Sequence, residues 1–275
     1  MINKSNITHT KYNYRINQIK SGSDYNWIFL PGGPGLGSEY LLEFCNKLNL
    51  PGNTLVVDFP KDGTNNEGTL EIKYWQDGLI DLLKTYKNSI LVTHSFAGMF
   101  ALNMPEIESH LAGLILMNTT THNSFFQHVH AMHLKHHLPN LAPAAAAYHL
   151  HPSKETFKEF WNTYKYYCFT PEEMELGEQM IPLLAFNSEA YYFAIQNFFM
   201  QYVCKLHPTS IPTMTICSEN DFICPPDIFS QEKYFQSDNI TNKIIANAGH
   251  CPWLLHFNQV KKCFDAFIAS IQSRK

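Results

Sequence analysis

Residues 89–104, Ser-Ile-Leu-Val-Thr-His-Ser-Phe-Ala-Gly-Met-Phe-Ala-Leu-Asn-Met, change their hydrophobic period within two positions. Ile90, Leu91 and Val92 form a short run of branched apolar side chains, the composition of a strand covered on both faces. From Phe96 the larger residues fall at Phe96, Met99, Phe100 and Asn103, with Ala97, Gly98 and Ala101 between them, which predicts a tightly packed helix. Ser95 stands where strand becomes helix, with Thr93 and Ala97 two residues to either side. Such a turn brings two backbones close together and projects its central side chain into the open, beside the positive end of a helix. Serine is also a favoured N-cap, so this stretch alone leaves a structural and a chemical role open.

The rest of the chain repeats the same alternation. Strands are expected within 7–19 and at 25–30, 54–58, 111–117, 211–217 and 243–246. Helices are expected at 39–48, at 70–86 with Ile72, Trp75, Leu79, Leu82 and Leu83 on one face, at 227–235 and at 252–270. Strands alternating with helices define an α/β protein whose mostly parallel, doubly wound sheet is covered on both sides. The alternation stops at Thr119 and resumes at Ile211. The expected division is therefore a core domain of residues 1–118 and 211–275, interrupted by a helical cap, 119–210. The cap is rich in rings: 14 aromatics fall between Phe157 and Tyr202. Thin helices cannot bury so many among themselves, so some should roof a pocket and favour an apolar or aromatic small-molecule substrate.

Composition removes several classes of function. A net charge of −4 and a pI near 6.4 give no electrostatic basis for binding nucleic acid or an anionic membrane. The seven cysteines contain no Cys-x-x-Cys pair, which predicts free thiols and a reducing compartment. The first residues lack the apolar core of a signal peptide, and no apolar run reaches the ~18 residues of a membrane span. A cytoplasmic location is the expectation; the oligomeric state is not legible. Of the 14 histidines, 8 lie between His122 and His151, with His130, His133 and His137 at helical spacing. No cysteine or carboxylate stands beside them to complete a zinc site, and no metal is expected.

Thr93-His-Ser95-Phe-Ala97 resembles the nucleophile elbow Gly-x-Ser-x-Gly of α/β-hydrolases, with Thr93 and Ala97 in place of the glycines. In that family the triad follows in the order Ser, Asp or Glu, His, each member after a strand. Asp221, after the strand ending at Cys217, and His250, after the strand ending at Ala246, fit that order. Asp227 and His256 belong to the following helices, and His94 is expected to point away from the site as a structural residue. Asn118 and Thr119 follow Met117, so no acid competes there. The oxyanion hole needs two backbone N–H groups, expected from Phe96 and from Gly33 in the loop Pro31-Gly-Gly-Pro-Gly-Leu-Gly-Ser38. The same loop imitates a dinucleotide fingerprint, Gly33-x-Gly35-x-Gly37 with Asp58 beyond. Ser38 stands where the last glycine belongs, and Pro34 removes a phosphate donor. No cofactor is expected.

Pro-Gly-Gly-Pro-Gly at 31–35 and Ala-Gly-His-Cys-Pro-Trp at 248–253 are similar to the loop and the histidine turn of proline iminopeptidases. Pro31 replaces that branch's loop histidine, and Thr-His-Ser-Phe-Ala-Gly replaces its Gly-Gly-x-Trp-Gly context. The resemblance implies a capped serine hydrolase; the ring-rich cap and these two departures favour a small apolar acyl ester, thioester or amide as its substrate. It also leaves open a proline-releasing aminopeptidase, with a cap glutamate among Glu172, Glu173, Glu175 and Glu178 holding the amine. Some relatives of this fold act as non-catalytic ligand receptors, the third reading.

Overall fold

The structure, a computed structural model, describes residues 7–273. Its eight strands are β1 (Ile7–His9), β2 (Arg15–Lys20), β3 (Asn26–Leu30), β4 (Asn53–Asp58), β5 (Ser89–His94), β6 (Leu111–Met117), β7 (Thr213–Ser218) and β8 (Ile240–Ile245). They form one sheet in the order β1-β2-β4-β3-β5-β6-β7-β8. β2 pairs antiparallel with both β1 and β4, and every pairing from β4 to β8 is parallel.

Period-two alternation distributes each strand's side chains between two cores. Trp27 and Phe29 of β3 join one core, and Ile28 and Leu30 join the other. The first core is covered by α1 (Leu42–Leu48), through Phe44 and Leu48, and by the C-terminal helix, through Val260, Phe264 and Phe267. The second is covered by α2 (Ile72–Thr85) and α3 (Phe96–Leu102). Trp75, Leu79, Leu82 and Leu83 of α2 are buried there, on the face its spacing predicts.

Between β6 and β7 the described chain is helical: α4 (Phe125–His136), α5 (Ala142–Leu150), α6 (Lys154–Cys168), α7 (Met174–Met180) and α8 (Ser188–Asn197). Ser153 and Thr156 start α6 with reciprocal side-chain-to-backbone bonds. Beyond β7 the helix expected at 227–235 is only α9 (Ile228–Gln231), followed by a 3₁₀ turn at Lys233–Phe235, because Glu232 between them is extended. β8 begins at Ile240, earlier than its apolar residues suggest. As the edge strand it pairs on one side only, and its polar residues reach solvent. The final helix, α10 (Phe257–Gln272), starts five residues later than expected because the backbone of its N-cap, His256, is not helical. All seven cysteines are unbridged. No helix among the described residues is long and apolar enough to cross a membrane.

The sheet order places the site. β3 lies between β4 and β5, so connections leave its two sides in opposite directions. Loops at the carboxyl ends of strands diverge at such a switch point and open a crevice. Leu30 pairs with Thr93, which sets the glycine loop after β3 directly beside Ser95 after β5.

Candidate active site

Ser95 adopts φ 53° and ψ −119°, a conformation L-residues rarely take, at a cost of about 1–3 kcal/mol. Bonds to the end of β6 and the residues after it help hold it there. Its N–H donates to Met117 O at 3.0 Å, and Thr119 Oγ1 donates to its carbonyl at 2.7 Å. Gly32 allows the glycine loop to close on it, since a Cβ at Gly32 would stand 2.9 Å from Ser95 Cβ. Phe96 opens α3, where an N–H has no carbonyl partner within the helix. Ser95, Phe96, Gly32 and Gly33 all line one cavity of about 590 Å³, together with His250.

Asp221 and His250 form a hydrogen-bonded pair, with His250 on the cavity that Ser95 lines. Asp221 Oδ2 accepts from His250 Nδ1 at 2.8 Å and from Asn118 Nδ2 at 3.0 Å, while Oδ1 accepts the Ile223 and Cys224 N–H groups at 2.9 Å each. Burial works to raise this carboxyl. The facing His250 and the bonds from Asn118 and Cys224 outweigh it, and Asp221 stays below the usual carboxylate range. An ionised carboxylate only accepts, so Nδ1 carries a proton, and whenever the imidazole is neutral Nε2 keeps its lone pair. The backbone of the histidine turn is tied to the helical segment: His250 N–H donates to Cys168 O at 2.7 Å.

Asn118 is a residue the sequence did not single out. It follows β6, where an acid was sought, and its amide supports Asp221 instead. Its φ is 44°, a left-handed value asparagine tolerates, and the signal in the sequence was an asparagine standing directly after a strand end. His94 corrects the expectation made for it. Its ring lies 4.9 Å from that of His250 and lines the cavity. Asp227 and His256 stand at the N-cap positions of α9 and α10 without a side-chain cap bond, and neither lines the cavity: Asp227 Oδ2 accepts from Gln231, and His256 Nε2 lies 3.2 Å from Asn247 O.

The glutamate patch is not gathered at the cavity. Glu173 is fully buried against the histidine turn, and Glu178 pairs with Lys165 at the surface. His130 and His133 line the cavity with ring centroids 6.2 Å apart, whereas His137 ends α4 in a left-handed conformation. Among the described residues, Asp221, Cys224 and His250 are the one close group of metal-ligating type. Burial pushes the Cys224 thiol up and keeps its proton on, and both Asp221 oxygens are already engaged. The glycine loop is likewise occupied. Gly35 N–H donates to Asp62 and Ser38 N–H to Asp58, which removes the donors a pyrophosphate would need.

Most of the remaining cavity wall comes from the helical segment, including Phe125, Phe157, Phe160, Trp161, Tyr164 and Tyr191. No Asp, Glu, Lys or Arg occurs among the described residues that line it.

A mostly parallel sheet with a strained serine beside its switch point, and a histidine turn lining the same cavity, defines a hydrolase of the α/β class. Residues 27–260 match the model of the alpha/beta hydrolase family, and the chain belongs to that family. Among solved structures it is similar to a thermophilic esterase from Thermogutta terrifontis, 19% identical, covering 97% of each chain with a TM-score of 0.67. It is also similar to a proline iminopeptidase-related protein from Thermus thermophilus, 16% identical, covering 96% of this chain and 97% of that one, TM-score 0.72. An alpha/beta fold family hydrolase from Bacillus anthracis str. Sterne is 14% identical over 97% of this chain and 98% of its own, TM-score 0.73. No curated protein matches the chain.

Proposed function

We propose that this protein is a serine hydrolase that cleaves an uncharged, apolar acyl ester, or the corresponding thioester or amide, by a Ser95-His250-Asp221 triad. Residues 119–210 are its cap domain. Ser95 Oγ attacks the acyl carbonyl while His250 Nε2 takes its proton, and Asp221 stabilises the imidazolium. Phe96 and Gly33 N–H groups receive the oxyanion. As the tetrahedral intermediate collapses, His250 returns the proton to the leaving alcohol, thiol or amine. Water, deprotonated by His250, then attacks the acyl-enzyme, and the proton passes to Ser95 as the acid is released.

The observation that carries the substrate class is the cavity wall without Asp, Glu, Lys or Arg. A protonated amine entering it would lose hydration with no carboxylate to compensate. An apolar acyl group gains by covering the rings. This favours ester chemistry over aminopeptidase chemistry. The test is a matched panel of acyl esters and prolyl amides, with fluorophosphonate labelling of Ser95. Esters should turn over faster, and Ser95→Ala and His250→Ala should each lose roughly 10⁶ in kcat. A prolyl amide cleaved faster than every ester would reverse the substrate reading. A labelled protein that turns over no member of the panel but binds an acyl ligand tightly would favour a receptor.

A further inference from the structure

The glycine loop after β3, the elbow after β5 and the histidine turn after β8 come from three separate strands. One path of hydrogen bonds runs through all of them. Gly32 N–H donates to Tyr40 Oη at 2.7 Å, Tyr40 Oη lies 2.8 Å from His94 Nδ1, and His94 Nε2 lies 3.0 Å from the carbonyl oxygen of His250.

The direction of this path is forced by the chemistry of its ends. A carbonyl oxygen only accepts, so Nε2 carries the His94 proton. A neutral imidazole has one N–H, so Nδ1 must accept, and the Tyr40 hydroxyl donates to it. The Tyr40 oxygen keeps its lone pairs for Gly32 N–H. Burial and the neighbouring His250 press the His94 imidazole down to about 3, so it stays neutral through the physiological range. Burial also pushes the Tyr40 hydroxyl above its ordinary range, so it keeps its proton.

Packing gives these side chains little freedom. The Trp253 ring stacks on Tyr40 at 6.2 Å and 24°, and stands edge-on to His94 at 4.9 Å. Gly32 approaches both, since a Cβ there would meet His94 Nδ1 at 3.1 Å and Tyr40 Oη at 3.3 Å. Gly32's own N–H is committed to Tyr40, so the loop's share of the oxyanion falls to Gly33, the next residue, held at φ 116°.

We propose that Tyr40 and His94 are positioning residues, which hold the Gly32–Gly33 backbone and the His250 backbone in one fixed relation to Ser95. The inference rests on the hydrolase reading above and adds the device that aligns its three loops. Neither side chain needs to touch substrate. Their effect is on where the oxyanion donors and the histidine stand when charge develops, so it appears in the chemical step rather than in apolar binding.

The test is Tyr40→Phe, which keeps the ring on Trp253 and removes only the hydroxyl. With a p-nitrophenyl acyl ester, kcat should fall roughly 10²-fold with KM little changed. Affinity for a trifluoromethyl ketone, which mimics the oxyanion, should fall in parallel, while affinity for the product acid should not. His94→Ala should show the same pattern. His94→Asn, whose side-chain oxygen can replace Nδ1 as acceptor, should recover part of the loss. Histidine ¹⁵N spectra of the wild type should show His94 as the Nε2–H tautomer.

Tyr40→Phe that is folded, with wild-type kcat and unchanged ketone affinity, overturns the proposal. So does a His94 that carries its proton on Nδ1. Equal losses for His94→Ala and His94→Asn would also count against it. A wild-type protein inert to both ester and fluorophosphonate would instead sink the hydrolase reading, and this inference with it.

Discussion

The Glu173 carboxylate, buried where α7 begins, accepts the Gly249 backbone N–H with both oxygens, at 3.1 and 3.0 Å. One residue before His250, a side chain from the helical segment therefore grips the histidine turn. Oε2 also accepts Thr170 N–H at 3.1 Å. Burial nevertheless raises the Glu173 carboxyl above its ordinary value. Glu173, one of the four glutamates among which the resemblance implied an amine ligand, is a brace.

Replacing the brace separates its shape from its charge. Glu173→Gln keeps an acceptor for Gly249 and should leave ester turnover nearly intact. Glu173→Ala leaves two buried N–H groups without a partner, each costing about 1–3 kcal/mol. It should lower the melting temperature and reduce kcat together. Thermal unfolding and steady-state rates on the two variants check this, and a collapse of turnover in Glu173→Gln would show that the charge itself matters.

Asn118 should count in catalysis as well as in folding. Its amide bonds the Asp221 oxygen that also faces His250. A hydrogen bond to a charged group contributes about 1.5–3 kcal/mol. If most of that is felt in the transition state, Asn118→Ala should lower kcat/KM by roughly ten- to a hundredfold. Its pH–rate profile should also be compared with the wild type. A variant with full activity and a superimposable profile would show that Asn118 only packs.

Stability should fall as pH rises through the weakly acid range, and Asp62 is one cause. Burial, reinforced by Asp58, pushes its carboxyl up to about 7. Its Oδ1 accepts the Gly35 and Gly63 N–H groups, while Oδ2 is buried without a hydrogen-bond partner. An aspartate raised above its unfolded value of about 3.9 holds its proton longer in the folded state. Between about pH 4 and 7 the native protein therefore binds more protons than the unfolded chain. The stability from this group is present in full below pH 4 and is lost as pH passes 7. Asp62→Asn has no such proton to lose. Its melting temperature should exceed the wild type's at pH 8, with the gap closing toward pH 4. An equal gap at both ends would refute the assignment.

The ring-lined wall should set acyl preference. Phe160 and Trp161 of α6 are each only 8% exposed and face the cavity. Trp161→Ala should raise KM for a long-chain p-nitrophenyl ester by roughly tenfold, the effect of losing about 1.5 kcal/mol of apolar contact. The acetyl ester, with almost no apolar chain to lay on the rings, should change little. Parallel KM values on the two esters check it; equal shifts would place the acyl chain elsewhere.

Much of this protein is written in local pattern. Ile90-Leu91-Val92 followed at once by Phe96, Met99 and Phe100 specifies a strand turning into a helix, because side-chain period is a property of neighbours along the chain. The same logic marks β3, β4, β6 and β7, the face of α2 and the ring-rich composition of residues 157–202. The order Ser95, Asp221, His250 is legible because each follows a strand that the pattern reveals. Weak patterns mislead: polar residues hide the start of β8, and an extended Glu232 divides what reads as one helix.

Direction in space was decided by the tertiary structure. Sequence cannot tell that β3 lies between β4 and β5, and that order alone brings the glycine loop to Ser95. Tyr40 and His94 are 54 positions apart and touch across two loops. Glu173 and Gly249 are 76 apart, and Asn118 and Asp221 are 103 apart. Each pair is polar and buried, and its partner is chosen by which groups must satisfy one another once water is excluded. That requirement exists only in the folded chain, so His94 and Glu173 read one way as letters and act another way as structure.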